Sequence, residues 1–239
     1  MGVYMRIVGM VRQVLSASTD VLFPARCTNC NREGDLICDR CLDEATRLTS
    51  DSSCQMCALP TEGSTLCGRC SSDPPPVSSL VAAFAFDGAI RSSIHALKYD
   101  GLRAVAPALG DEMADRWGTR RKLPDVVLPI PLHRSRLRSR GYNQSELLAR
   151  PVSARLGVPM DTGLLRRVVD TPSQAAATDE AERAKRVKGV FEAVGEVKDL
   201  HFLLIDDVAT AGSTINSAAH TLLDAGAWGV SALVLAREL

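Results

Sequence analysis

Apolar residues fall along this chain in two rhythms. Compact apolar stretches predict strands at 80–86, 125–130, 201–206 and 229–236; the unbroken run at 202–205 has the pattern of a strand covered on both faces. Between them, apolar positions recur every three to four residues and predict helices over 88–99, 102–117, 142–157 and 213–225. In the last of these, Ile215, Ala218, Ala219, Leu222 and Leu223 share one side. The stretch 164–192 reads as a hairpin-like region containing a short helix. Strands that alternate with helices imply an α/β domain with a parallel sheet and right-handed crossovers.

The rhythm fails before residue 80. Residues 1–26 hold Arg6 and Arg12 among short apolar pieces, with Met5, Ile7, Val8, Val11, Val14 and Leu15 available for one face of an amphipathic helix. These pieces are too broken for a secretory signal and too short for a membrane span, so a cytoplasmic protein without membrane insertion is expected. Residues 71–79 include Pro74, Pro75 and Pro76 and read as a stiff, extended linker. The expected order is therefore a helical lead segment 1–26, a cysteine-rich domain 27–73, a linker 74–79 and an α/β domain 80–239.

All 8 cysteines fall in C-x-x-C pairs: Cys27/Cys30, Cys38/Cys41, Cys54/Cys57 and Cys67/Cys70. A C-x-x-C turn aims two thiolates at one tetrahedral ion, and two such turns complete a Cys₄ site, so two structural zinc ions are expected. Two consecutive sites are the simplest pairing, and a cross-braced arrangement is the alternative. Disulfides would want an oxidising compartment, iron–sulfur clusters other spacings, and a redox pair a thioredoxin-like βαβ context. The segment has few large apolar residues, so metal should supply its folding free energy.

Composition narrows the function only a little. With 239 residues and 46% hydrophobic content the chain can bury one full core beside a small satellite. Lys plus Arg equals Asp plus Glu at 28 each, so any basic site must be local.

The chemistry concentrates after the 202–205 run, where Asp206 and Asp207 lead through Val208, Ala209, Thr210, Ala211 and Gly212 into a helix beginning Ser213-Thr214. At the carboxyl end of a parallel strand the next helix offers N–H groups and a positive dipole end, which suits phosphate. Gly212 permits a positive φ, and neighbouring carboxylates can accept hydrogen bonds from adjacent sugar hydroxyls. A turn-and-cap role for the two aspartates is the plain alternative. A Walker B strand would need a G-x-x-x-x-G-K-[ST] loop upstream, which is absent from the sequence. A receiver domain carries its acidic pair on its first strand, and an acidic metal cluster would want carboxylates within 208–221, where there are none.

A second candidate follows the predicted strand 125–130. His133 opens a loop with Arg134, Arg136, Arg138 and Arg140 at the same sheet edge as Asp206. Guanidinium groups bind phosphate oxygens bidentately, so a pyrophosphate site is expected there, against the plain alternative of a solvated basic loop. His133 as a general base is weighed against a surface histidine, and Lys98 as a site residue against a favourable helix end.

The acidic turn resembles the signature of type I phosphoribosyltransferases that bind 5-phosphoribosyl-1-pyrophosphate (PRPP), D-D-V-x-T-T-G-x-T, with Ala211 in place of the second Thr. The stretch P-I-P-L-H-x-x-R-L-R-S-R-G-Y-N-Q, with His95 to Tyr99, Gln174, Glu182-Arg183 and Gly189 to Phe191, follows the order of the ComF family over roughly residues 20–239. That resemblance implies a type I phosphoribosyltransferase-like parallel sheet flanked by helices, preceded by a double zinc ribbon. It implies that Asp206 and Asp207 hold the ribose hydroxyls and stabilise charge on the ring as the catalytic pair. The 5′-phosphate would be held by Ala209, Thr210, Ala211, Gly212, Ser213 and Thr214. Lys98, Tyr99, Arg136 and Arg140 would face the pyrophosphate with Mg²⁺, and Gln174 and Arg183 would lie on a mobile loop above.

Two functions follow. One is transfer of ribose 5-phosphate from PRPP to an unknown acceptor with release of pyrophosphate. The other is a non-catalytic competence role, handling single-stranded DNA or docking competence proteins. Stacking on bases needs aromatic residues, and at 4% aromatic content only Tyr99, Tyr142 and Phe191 stand near the site.

Overall fold

The structure, a computed structural model, describes residues 24–118, 123–170 and 189–239. The lead segment up to residue 23, Gln174 and Arg183 lie outside the described residues.

Four parallel strands build the main sheet: β1 (Ser79–Ala85), β2 (Val126–Pro129), β5 (His201–Ala209) and β6 (Gly229–Arg237), in the order β1-β6-β5-β2. Strands β3 (Leu165–Arg167) and β4 (Phe191–Ala193) pair antiparallel beside it. The period-2 alternation sorts the core. Leu203 and Ile205 of β5 face one layer with Val81, Ala83, Leu233 and Leu235, whereas Phe202 and Leu204 face the other with Ala82, Ala232 and Val234.

The first layer is covered by three helices, α3 (Gly88–Tyr99), α4 (Ala106–Trp117, entered through a 3₁₀ turn Arg103–Val105) and α6 (Gln144–Leu156). The second is covered by α7 (Ser213–Asp224) and the β3–β4 pair. Helices α4 and α6 approach closely at Gly110. A Cβ there would collide with the Pro151 side chain and lie 2.8 Å from the Leu148 carbonyl. Gly110→Ala is therefore expected to destabilise the protein by about 1–3 kcal/mol, read from the denaturant midpoint.

Two expectations change. The loop that begins at His133 is instead a short helix, α5 (Arg134–Arg140): His133 caps it by accepting the Ser135 N–H, and Gly141 ends it at φ 79°. Its four arginines are good helix formers, and no residue on it is buried, so no apolar rhythm marked it. The strand expected to end at 206 runs to Ala209, because Val208 and Ala209 still pair with Ala236 and Arg237. The acidic pair thus lies on the strand.

The cysteine-rich segment does not stand off as a satellite. Leu48 N–H donates to Ala83 and Ala85 N–H to Thr46, covering the free edge of β1, and Cys27, Ile37 and Cys41 join the first core layer. The linker is docked too, since Val77 is buried and Ser78 N–H donates to the Val230 carbonyl.

Candidate functional site

Strand β2 ends opposite Ile205, so 206–209 of β5 has β6 on one side and, among the described residues, no strand on the other. The acidic pair opens there. Consecutive side chains on a strand diverge to opposite faces, and the two aspartates find different partners.

Asp207 is buried, and its Oδ1 meets Lys98 Nζ from the end of α3 at 2.8 Å. Its Oδ2 is buried and has no hydrogen-bond partner among the described residues. Asp206 is partly open; its Oδ1 accepts from the Ser145 hydroxyl and from the Asp207 N–H, both at 2.9 Å. Burial, reinforced by the Asp207 charge, pushes Asp206 up to about 7, against the pull of Lys98 and Ser145. Removing Lys98 would strand a buried carboxylate. Lys98→Met is expected to cost about 3–5 kcal/mol in denaturant unfolding, with most of that recovered in Lys98→Met/Asp207→Asn.

Past Ala209 the chain turns at Gly212, in the left-handed region at φ 77°, and α7 begins at Ser213. A helix start offers N–H groups and a positive dipole end, and here it follows the strand that carries the two carboxylates.

The basic side is assembled from three elements. Arg136 of α5 lies 3.6 Å from Asp170, whose carboxylate also accepts from Ser135 and sits 3.2 Å from His133 Nδ1. The Ser135 hydrogen bond holds Asp170 below the usual carboxylate range. Arg140 reaches the Gln144 side chain and lies 5.9 Å over the Tyr99 ring. Tyr99 is 65% exposed. Tyr142 and Phe191 are not available for stacking on a base: they are 8% and 4% exposed, Tyr142 donating to the Leu97 carbonyl under Arg103.

Three contributors escaped the sequence reading. Arg167 of β3 lies in the field of both Arg136 and Asp206, and desolvation lowers its pKa. Ser145 holds Asp206, a role foreshadowed only by the Asn143 cap that begins α6. Arg237 grips the carbonyls of Ala209 and Thr210 from β6.

The cysteines gather as two consecutive clusters, Cys27/Cys30/Cys38/Cys41 and Cys54/Cys57/Cys67/Cys70, each with all four sulfurs within 4.8 Å of one another. Cys30–Cys38 and Cys57–Cys67 Sγ separations are both 3.7 Å. A tetrahedron with zinc–sulfur bonds of about 2.3 Å has edges of about 3.8 Å, so the sites fit that ion. The halves repeat one design: Cys27 and Cys54 N–H donate to Arg32 and Leu59, and Asn31 and Ala58 take positive φ. In each, the third cysteine precedes a short helix that carries the fourth, α1 (Asp39–Asp43) or α2 (Gly68–Ser72). Among the described residues no helix is long and apolar enough to cross a membrane.

The sheet, the acidic strand end and the anion turn define a phosphoribosyltransferase-type domain, fronted by two Cys₄ zinc-ribbon sites. Residues 143–238 match the phosphoribosyl transferase domain family and residues 18–71 the double zinc ribbon domain family. The DNA utilization protein YhgH of Salmonella typhimurium is 34% identical over 194 residues, covering 79% of this chain and 85% of that protein. Competence protein F of Haemophilus influenzae is 29% identical over 178 residues, covering 72% and 78%. Competence protein ComFC of Bacillus subtilis is 24% identical over 217 residues, covering 84% of each. The chain belongs to the ComF family.

Proposed function

We propose that the protein binds PRPP at the open end of β5 and transfers its ribose 5-phosphate group to an acceptor, releasing pyrophosphate. The observation that carries this reading is the juxtaposition of Asp206 and Asp207 with the Gly212 turn and the start of α7. The turn would hold the 5′-phosphate. The aspartates would accept hydrogen bonds from the ribose hydroxyls, with Asp206 the more open of the two. Arg136 and Arg140, with Lys98 and Tyr99 behind them, would take the pyrophosphate, and Arg167 joins this group by position.

In the reaction the C1–oxygen bond to pyrophosphate breaks, its electron pair leaving with pyrophosphate, and a bond from C1 to the acceptor forms as the acceptor loses a proton. Positive charge grows on the ring in between, where the two carboxylates stabilise it. Mg²⁺ bound with PRPP would neutralise charge on the leaving pyrophosphate. The reading sets this activity in the cytoplasm, where reduced thiols stay available to zinc.

The test is titration of PRPP with Mg²⁺ by calorimetry, followed by pyrophosphate release across a panel of bases. Saturable binding with release for one acceptor is the expected result; absence of PRPP binding sinks the reading. A competence role is the second reading, favoured by what the relatives named above are called and by the exposed Tyr99 beside Arg140. It predicts single-stranded DNA binding that weakens at least about tenfold in Arg136→Glu/Arg140→Glu and falls with salt, measured by fluorescence anisotropy. Binding indifferent to that reversal counts against this surface.

A further inference from the structure

Arg237, the last residue of β6, is only 6% exposed. Its Nε donates to the Cys57 carbonyl at 2.8 Å, and its Nη1 donates to the carbonyls of Ala209 at 2.8 Å, Thr210, and Glu238 at 2.9 Å. One guanidinium thus joins a cysteine of the second Cys₄ site to the two residues that begin the phosphate turn. These segments are 180 positions from Arg237 on one side and 28 on the other. Elsewhere they face each other across a crevice of about 170 Å³ lined by Cys57, Arg69, Ala211, Gly212 and Asn216.

A buried guanidinium needs both hydrogen-bond acceptors and countercharge. Main-chain carbonyls provide the first and little of the second. A divalent ion held by four thiolates carries a net charge of −2, and that site lies against the guanidinium through Cys57. Among the described residues the first cysteine cluster has no such tie to the turn: side chains beside it link to α3, Thr28 with Ser93 at 2.8 Å and Asn29 with Ser92 at 3.3 Å.

We propose that Arg237 is a positioning residue that makes the second Cys₄ site and the 209–212 turn one unit, so that metal in that site holds the phosphate turn in its binding geometry. The clause about phosphate rests on the PRPP reading; the mechanical link does not. Two consequences follow. Metal loss from the second site frees the Cys57 carbonyl to move, Arg237 follows, and the turn loosens. By linkage, a ligand that prefers the ordered turn must raise metal affinity at that site by the same factor.

The test uses the full zinc-loaded chain, wild type against Arg237→Gln and Arg237→Lys. Lysine keeps the charge but has no fork to reach the Cys57 and Ala209 carbonyls together. Without ligand, amide exchange in peptides covering 209–214 should speed up at least about fivefold in both variants, while peptides from β2 and α6 hold their wild-type rates. Unchanged exchange at 209–214, or a uniform rise across the chain, overturns the link. In a second arm, zinc release to a chelator is followed with and without PRPP. PRPP should slow one of the two ions about fivefold or more in the wild type and neither in the variants. Equal protection of both ions, or protection that survives Arg237→Lys, overturns the proposal. A wild type that does not bind PRPP instead counts against the PRPP reading, and the exchange arm still decides the link.

Discussion

Removing zinc should unfold the front of this protein and expose its sheet. Structural zinc contributes on the order of 10 kcal/mol of apparent binding free energy in small metal-dependent domains, as much as the whole stability of a typical fold. Here the cysteines are not remote from the core. Cys27 and Cys41 pack in the layer that holds Phe84 and Ile90, and the strip 46–48 they anchor pairs with the outer edge of β1. All four sulfurs of each cluster lie within 4.8 Å of one another, so four thiolates packed this tightly need a cation to hold them together. A chelator should therefore lower the unfolding temperature by roughly 10 °C or more and leave β1 as an open strand edge prone to aggregation. Metal analysis should give two zinc ions per chain, and Cys41→Ser one. A chain that holds one ion before mutation, or melts at the same temperature after chelation, contradicts this.

The second large effect is at the acidic pair, and it has a pH signature. Asp206 has a folded pKa near 7, above the ordinary value of 3.8. The fold therefore prefers its neutral form, and as pH rises from about 4 to 7 this group takes stability away, the penalty being complete above 7. Asp206→Asn should flatten that decline in denaturant unfolding. A sugar hydroxyl that donates to the carboxylate favours the ionised form, so PRPP binding should expel a proton below pH 7. Affinity should fall from pH 8 to pH 6 in the wild type and fall less in Asp206→Asn, where the titration of PRPP's own phosphates remains.

Sequence made the sheet and the acidic turn legible because both are local. The 202–205 run, the following aspartates and the small-residue turn sit within a few positions of each other, and the structure has each of them on β5 and at the start of α7. The C-x-x-C pairs were as plain, and they close in the consecutive order that their spacing made simplest. What escaped was tertiary. Helix α5 buries nothing and so leaves no apolar period, and only its His133 cap and Gly141 stop mark its ends. Strand β5 continues through Asp206 and Asp207 because β6 pairs with it, which outweighs the poor strand propensity of aspartate. Tyr142 read as a stacking residue, yet its hydroxyl is spent on the Leu97 carbonyl. Arg237 carried no signal at all, since its role depends on Cys57 lying beside it in the fold.

The central claim is that Asp206 and Asp207 form one wall of a PRPP site. It is tested most directly by calorimetric titration of PRPP with Mg²⁺ into the wild type and Asp206→Asn/Asp207→Asn, at pH 8 and with two zinc ions verified in both. Two lost charge-assisted hydrogen bonds at about 1.5–3 kcal/mol each predict at least about 100-fold weaker binding in the variant. Equal affinity in the two proteins would contradict the site.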